Sequence, residues 1–313
     1  MYILQSLLDY MDGLYPKVLN NDKVLFKKEI CRIILSIIYH TNNILCWYYH
    51  NIRKKHLPSP EECDYIISLT TYPARMDNVW RVIEMMFNQR DIQEKYAVYL
   101  SLIEEEFDGI DLPKEIKDLE KRGLVVRFNK TNLRCHNKYF YAFREFSEKT
   151  IITVDDDLQY NHHTVTALIK YSKIYPKCII YNRGNRIIKY TPSNEWPFNT
   201  RFHEPSFEYF PNGVGGVLYP PHCCHRLVTD EEIIRKTCIK ADDVWLNFMS
   251  RLNGTKVVCT GLASTFMILP DTDQKHALWA SNKDSIIMGN DTQINNISNH
   301  FTNLLSCDYF TNL

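Results

Sequence analysis

No C-x-x-C pair occurs among the ten cysteines of this 313-residue chain, and only Cys223 and Cys224 are adjacent. Scattered thiols suit a reducing compartment better than a disulfide framework. His222-Cys-Cys-His225 gathers four metal-capable side chains, but four consecutive residues do not easily wrap one tetrahedral zinc ion. An excess of either charge is also lacking. Lys+Arg and Asp+Glu stand at 37 each, so no global field favours nucleic acid. No Arg-rich or Gly-rich tract suggests RNA or single-strand binding. The opening MYILQSLLDYMDG has early acids and no basic stretch, which makes it a poor secretory signal. No G-x-x-x-x-G-K is present, and the glycines near residue 213 lack the strand-to-helix G-x-G-x-x-G pattern. Nucleic-acid binding, P-loop chemistry and a dinucleotide fingerprint thus lose their sequence basis.

What is present is a hydrophobic content of 45%, enough for a packed core. The length holds one large domain plus an appendage. Residues 1–58 form a helical extension in this reading. From Val24 to Tyr49 the polar residues Lys28, Arg32, Ser36 and His40 recur every four positions and leave a wide apolar face. Arg32, His40 and Asn42-Asn43 interrupt it too often for a membrane span. The stretch 24–56 can be an interfacial helix on an anionic bilayer, or a helix packed on the main domain or on a second subunit. Pro58-Ser-Pro60 is a linker. Strands are expected at Tyr65–Leu69, Tyr96–Leu102, Val125–Phe128, Ile151–Val154, Cys178–Arg183, Val217–Tyr219 and Lys256–Cys259. Helices are expected at Val79–Phe87, Ile116–Lys121, from the Asn132–Tyr139 stretch to Glu148, and at Thr164–Tyr175 and Ile239–Leu252. Residues 184–211 read as irregular and aromatic-rich, either a sugar platform or a loop anchored by its own side chains. The alternation of strands and helices makes the chain α/β, with a main domain over 59–270 and a C-terminal segment over 271–313.

Ile151-Ile-Thr-Val154 is a buried-strand pattern that ends in Asp155, Asp156 and Asp157. Three carboxylates at a strand end repel one another unless a counter-charge is present. A hard divalent cation, Mn²⁺ or Mg²⁺, suits oxygen ligands. In an extended segment Asp155 and Asp157 point one way, toward one metal, and Asp156 the other. A lone acidic run is more often a solvated turn, but the carboxyl ends of strands in open α/β sheets are where ligands bind. Asp242 and Asp243 open the predicted helix before Val244-Trp245, where the helix dipole favours acids even without a function.

Together, Ser68-Leu-Thr-Thr-Tyr-Pro-Ala-Arg75, the strand ending in Asp155-x-Asp157, Gly213-Val-Gly-Gly216 and Asp242-Asp243 resemble the GT-A class of nucleotide-sugar glycosyltransferases, closest to bacterial family-2-like members. The resemblance runs from about Tyr65 to about Thr260. It implies a GT-A-like (Rossmann-like) mixed sheet flanked by helices, a nucleotide-diphosphate sugar donor, and a carbohydrate or glycolipid acceptor in surface-polysaccharide or glycolipid synthesis. The scattered thiols point to a cytoplasmic protein, peripheral at the inner face of the membrane if the N-terminal helix is interfacial. Thr70, Thr71, Tyr72 and Arg75 would surround the nucleoside, offering hydroxyls, a ring and a phosphate-capable cation. Arg134 and Lys138, together on one helix face if the helix starts early, would face the diphosphate with Asp155 and Asp156. Gly215 and Gly216 would form a backbone wall under the donor sugar. The metal would sit on Asp155 and Asp157, with His276 recruited late in the chain. Asp243, assisted by Asp242, would be the base of an inverting transfer. Three rivals stand beside this reading. A nucleotidyl- or phosphotransferase also uses metal-bound carboxylates. An aspartyl-phosphate phosphatase would follow its Asp-x-Asp with small hydroxyl residues rather than Leu158 and Gln159. The third rival is a catalytically silent carbohydrate-binding protein.

Overall fold

The computed structural model describes residue 37 and residues 40–261, 266–269 and 289–310. The chain divides into two compact units, Met1–Lys54 and Lys55–Leu313. In the first, residues 40–48 are α-helical, and Tyr49–Arg53 is a π-helical turn closed by Lys54 N–H donating to Tyr49 O at 2.9 Å. The rest of the helix expected from Val24 lies outside the described residues.

The second unit is built on a mixed sheet. Strands β1 (Tyr65–Thr70), β2 (Tyr96–Ile103), β3 (Leu124–Asn129) and β4 (Thr150–Thr153) alternate with helices α1 (Met76–Phe87), α2 (Lys114–Glu120) and α3 (Asn137–Glu145). After β4 come β5 (Leu158–Tyr160), α4 (Thr164–Ile174) and β6 (Ile179–Tyr181). Three short strands follow, β7 (Gly184–Arg186), β8 (Phe198–Asn199) and β9 (Tyr209–Pro211). The chain continues through β10 (Val217–Tyr219), α5 (Glu231–Thr237), α6 (Asp242–Leu252), β11 (Val257–Cys259), β12 (Phe266–Ile268) and α7 (Asn290–Leu305). The seven-stranded sheet has the order β11-β6-β10-β4-β1-β2-β3. Within it β10 alone runs against its neighbours β4 and β6; the other pairings are parallel. A sheet covered on both faces needs apolar residues at every position. Accordingly all of β2, β6, β10 and β11, and Ile151 to Thr153 of β4, are buried.

From β1 the chain goes on to β2 on one side, while β4 lies on the other. Such a switch point opens a crevice at the carboxyl ends of the strands. Ser68 of β1 stands level with Thr153 of β4, so residues 70–71 and 155–156 leave the sheet side by side. Because β10 is antiparallel, Val217 also lies beside Thr153, and the glycine stretch before it enters at this same end.

Two regions differ from the sequence reading. Residues 184–211 hold the sheet β8-β7-β9 rather than irregular chain. Strands of two or three residues are too short for alternation to register. The C-terminal segment contains α7, whose Ile294, Ile297 and Phe301 are buried against Trp245, Phe248 and Tyr309. Its Asn, Thr and Ser are indifferent helix formers, so tertiary packing holds it.

Helix α1 buries Val79, Val82, Ile83, Met86 and Phe87 at helical spacing. Glu84 lies on the same covered face, fully buried, and pairs with buried Arg122. Asn88 Nδ2 donates to the other Glu84 oxygen at 3.1 Å. Arg122→Met would leave a buried carboxylate without its cation. The expected loss is about 3–5 kcal/mol of stability, read from urea unfolding. A change below about 1 kcal/mol would show that the pair is not structural.

Candidate active site at the carboxyl ends of β1 and β4

Strand β4 ends at Thr153, and Asp156-Asp157 already belong to the turn into β5. Strict alternation therefore does not govern the acidic run. Asp155 is partly open, and its N–H donates to the Tyr160 hydroxyl at 2.8 Å. Asp156 is buried. It accepts from Thr71 Oγ1 at 2.6 Å and from Arg75 Nη1 at 2.6 Å. Asp157 lies 3.1 Å from Arg75 Nη2. Arg75 thus forks across two neighbouring carboxylates, with its guanidinium over the Tyr72 ring at 5.2 Å. Burial pulls the Arg75 pKa down, but Asp156 and Asp157 outweigh it and the net shift is upward. Burial pushes Asp156 up to about 6 against the pull of Arg75. The loop after β1 is thereby fastened to the acidic turn. Thr70 is not part of this clamp, since its hydroxyl donates to Ser101 O at 2.8 Å.

Lys138 lies in the first turn of α3, and its side chain is only 9% exposed. Its Nζ is 3.0 Å from Asp155 Oδ1 and 2.7 Å from Asp242 Oδ2. Burial opposes its charge, yet Asp155, Asp242 and Asp243 together raise its pKa well above the usual lysine value. Two acidic motifs far apart in sequence are therefore joined by one ammonium. Arg134 does not share this face. Helix α3 begins at Asn137, and Arg134 stands exposed in the turn before it with φ +56°.

Asp242 and Asp243 open α6, and successive helix residues point about 100° apart. Asp242 faces Lys138, while Asp243 Oδ2 accepts the Gly213 N–H at 3.0 Å. Burial, reinforced by the charge of Asp242, pushes Asp243 up to about 7 although Lys138 pulls it down. A Cβ on Gly213 would lie 2.8 Å from both Asp243 Oδ1 and Lys138 Nζ, so a larger residue here would push these two charged groups aside. A Cβ on Gly215 would lie 2.7 Å from Arg183 Cβ, and Gly216 takes φ +80° as the chain turns into β10.

Sequence reasoning missed three supports of this arrangement. Fully buried Asn182 donates to Gly215 O at 3.1 Å and accepts from Thr260 Oγ1 at 2.7 Å. Its signal was a polar residue closing the apolar run Ile179–Tyr181. Tyr160 backs Asp155, and its signal was only proximity to the acids. His136 is buried, with Nε2 2.6 Å from Cys238 O, and burial lowers it to about 4, so it is neutral. His276 lies outside the described residues.

The side chains gathered here include five carboxylates, Asp155, Asp156, Asp157, Asp242 and Asp243, against two cations, Arg75 and Lys138. Among the described residues no cluster of three or more His, Cys, Asp or Glu is arranged to hold a metal by itself. The partly open pair Asp155 and Asp157 offers hard oxygen donors with net negative charge around them. This fits a cation such as Mg²⁺, which takes one or two carboxylates plus substrate phosphates rather than a full protein cage.

No protein-family model matches the chain, and no curated protein matches it. The chain is similar to solved structures at low identity. S. aureus TarS 1-349 in complex with UDP-GlcNAc is 13% identical over 64% of this chain, with a TM-score of 0.43; the match spans 57% of that protein's chain. The mannosyltransferase PcManGT from Pyrobaculum calidifontis, in complex with GDP-Man and Mn²⁺, is 16% identical over 48% of this chain and 45% of its own, with a TM-score of 0.31. UTP-bound UGPase from Acinetobacter baumannii is 8% identical over 73% of this chain and 96% of its own, with a TM-score of 0.40.

Lys138→Met would remove the cation that Asp155, Asp242 and Asp243 share. The expected destabilisation is about 3–5 kcal/mol at about pH 8. Asp243 would rise above about 7 once the pull of Lys138 is gone. A carboxylate whose folded pKa lies above its unfolded value makes the folded state hold the extra proton, so stability falls as pH rises through that interval. The deficit of the variant should therefore shrink toward about pH 5. Urea unfolding at both pH values measures it, and a deficit independent of pH would reduce Lys138 to a packing role.

Proposed function

We propose that the protein is a metal-dependent glycosyltransferase of GT-A-like architecture. It would move a sugar from a nucleotide-diphosphate donor to a hydroxyl of a carbohydrate or glycolipid, with inversion, in surface-polysaccharide or glycolipid synthesis. The observation that carries this reading is the salt-bridged unit Asp155–Lys138–Asp242 beside the Asp243–Gly213 contact, all at the sheet's switch point. Residues 59–270 would form the catalytic domain, between a helical extension (1–58) and a C-terminal segment (271–313). The nine described cysteines are all free, which supports a reducing, cytoplasmic setting.

Asp155 and Asp157 would hold Mn²⁺ or Mg²⁺, which supplies Lewis-acid stabilisation of the leaving diphosphate. Arg75 and Lys138 would place positive charge beside the same group. Tyr72 offers a ring to the base, and the backbone at Gly215 and Gly216 would lie under the donor sugar. Asp243, held at Oδ2 by Gly213, would take the acceptor proton at Oδ1. The acceptor oxygen would then bond to the anomeric carbon as the bond to the diphosphate oxygen breaks, its electron pair leaving with the nucleotide. No second carboxylate is needed as a general acid, unlike the two-carboxylate glycosidases.

Donor binding tests the metal half. UDP and GDP, each with and without Mn²⁺, should raise the thermal midpoint only when metal is present. The stabilisation should approach ~2.7 kcal/mol at 100 times the Kd. Asp157→Asn should abolish the metal-dependent part, and an unchanged shift would remove Asp157 from the site.

Transfer tests the base. Asp243→Asn should keep the metal-dependent nucleotide shift and lower transfer by ~10²–10⁴-fold. In the wild type the acid limb of the rate profile should rise through about pH 7, where Asp243 ionises, and this limb should vanish in the variant. Near-normal turnover in Asp243→Asn, or a product retaining the donor's anomeric configuration, would overturn the single-base mechanism.

A further inference from the structure

From Ile30 to Pro60 the sequence contains not one Asp or Glu, while Arg32, Arg53, Lys54 and Lys55 fall inside it. The described helix and π-turn of this stretch expose large apolar side chains. Ile37 is 60% exposed, Ile44 67%, Trp47 56%, Tyr48 44% and Ile52 59%. On an ideal α-helix, at about 100° per residue, Ile44, Trp47 and Tyr48 fall within an arc of about 100°. The opposite side carries Cys46, Tyr49 and His50, all buried. Single exposed apolar residues are ordinary, but Ile44, Trp47, Tyr48 and Ile52 stand exposed together within nine residues.

The chemistry of the stripe narrows its occupant. Trp and Tyr combine an apolar body with a polar tip and favour the boundary between headgroups and acyl chains. Arg53 and Lys54 stand exposed at the end of the stripe, with the Arg53 guanidinium 5.6 Å from the Tyr49 ring. Lys55 is engaged elsewhere, donating to the Tyr96 hydroxyl at 3.0 Å. Among the described residues no helix is long and apolar enough to cross a membrane. An apolar face with basic residues at its border and no acid suits a helix lying in the interface plane. We infer that this face rests on an anionic lipid bilayer, with Ile44, Trp47, Tyr48 and Ile52 among the headgroups and upper acyl chains and Arg53 and Lys54 at lipid phosphates. The inference stands apart from the reading of the catalytic site, because it uses no residue of that site.

Co-sedimentation of the full chain with phosphatidylcholine–phosphatidylglycerol vesicles tests it, with pure phosphatidylcholine vesicles as control. Wild type should bind the anionic vesicles, and added salt should weaken the binding. The triple variant Ile44→Ser, Trp47→Ser, Tyr48→Ser should bind at least ~10-fold more weakly. Arg53→Gln and Lys54→Gln should each weaken binding ~5-fold. These side chains are exposed, so circular dichroism and thermal unfolding should match wild type, which separates lost binding from lost fold. Wild-type sedimentation no greater with anionic vesicles than with phosphatidylcholine would overturn the inference, as would equal binding by the triple variant. A concentration-dependent dimer that the triple substitution dissolves would assign the stripe to a second copy and overturn it as well.

Discussion

A buried ammonium, that of Lys138, is the constraint on which the site depends. Its position is fixed from two sides. Ser68 Oγ of β1 donates to Lys138 O at 2.6 Å, which ties the first turn of α3 to the central sheet. Two residues earlier, His136 contacts Cys238 O at 2.6 Å, which ties the same turn to the segment leading into α6. Nζ is thereby held between Asp155 of the sheet and Asp242 of the helix. A buried ion pair is weak evidence of net stability, because desolvation offsets much of the attraction. Its use here is geometric. Without the ammonium, carboxylates from two elements would face each other in a poorly solvated place.

Under the proposed function, charge would set the order in which ligands enter. Five carboxylates and two cations leave the crevice negative, even when Asp156 and Asp243, at about 6 and about 7, carry protons part of the time. A diphosphate approaching such a site alone meets repulsion, and one arriving with a divalent cation does not. Arg75 and Lys138 cannot reverse this by themselves, since each is already shared between two carboxylates. This is the electrostatic reason for reading the site as one that takes a metal with its phosphate ligand.

The sequence made some of this legible and hid the rest for definable reasons. The strands of the central sheet were readable because their burial on both faces leaves continuous apolar runs, as in Tyr96–Ile103 and Ile151–Val154. The strand-end acids stood out because ligands bind at the carboxyl ends of strands in open α/β sheets. What could not be read was which acid meets which cation. The alternation argument treated Asp155 to Asp157 as extended chain, but the turn begins at Asp156, so Arg75 spans Asp156 and Asp157 while Asp155 turns to Lys138. The grouping of Arg134 with Lys138 required an early helix start that the left-handed backbone of Arg134 prevents. Contacts across a hundred residues, such as His136 with Cys238, leave no local trace. Neither do strands of two or three residues, such as β7 to β9.

Asp242 and Asp243 show how neighbouring residues acquire different chemistry. They share a helix turn and its dipole, so the dipole cannot distinguish them. The distinction comes from what each side chain meets. Asp242 is 9% exposed and spends its charge on Lys138 at 2.7 Å. Asp243 is less covered, meets a neutral N–H of Gly213, and feels the negative charge of Asp242 beside it. Its proton affinity rises to about 7 for that reason, within reach of the pH at which a general base is most effective. A carboxylate whose surroundings raise its proton affinity is a recurring way to place a base within one site. Lys138, which pulls on Asp243, also touches Asp155 and Asp242. Any change of charge at Asp155 alters what Lys138 offers to Asp242 and, through Asp242, what Asp243 can do with a proton. The strand-end acid and the helix-start acids therefore form one electrostatic unit rather than two motifs that happen to lie close together.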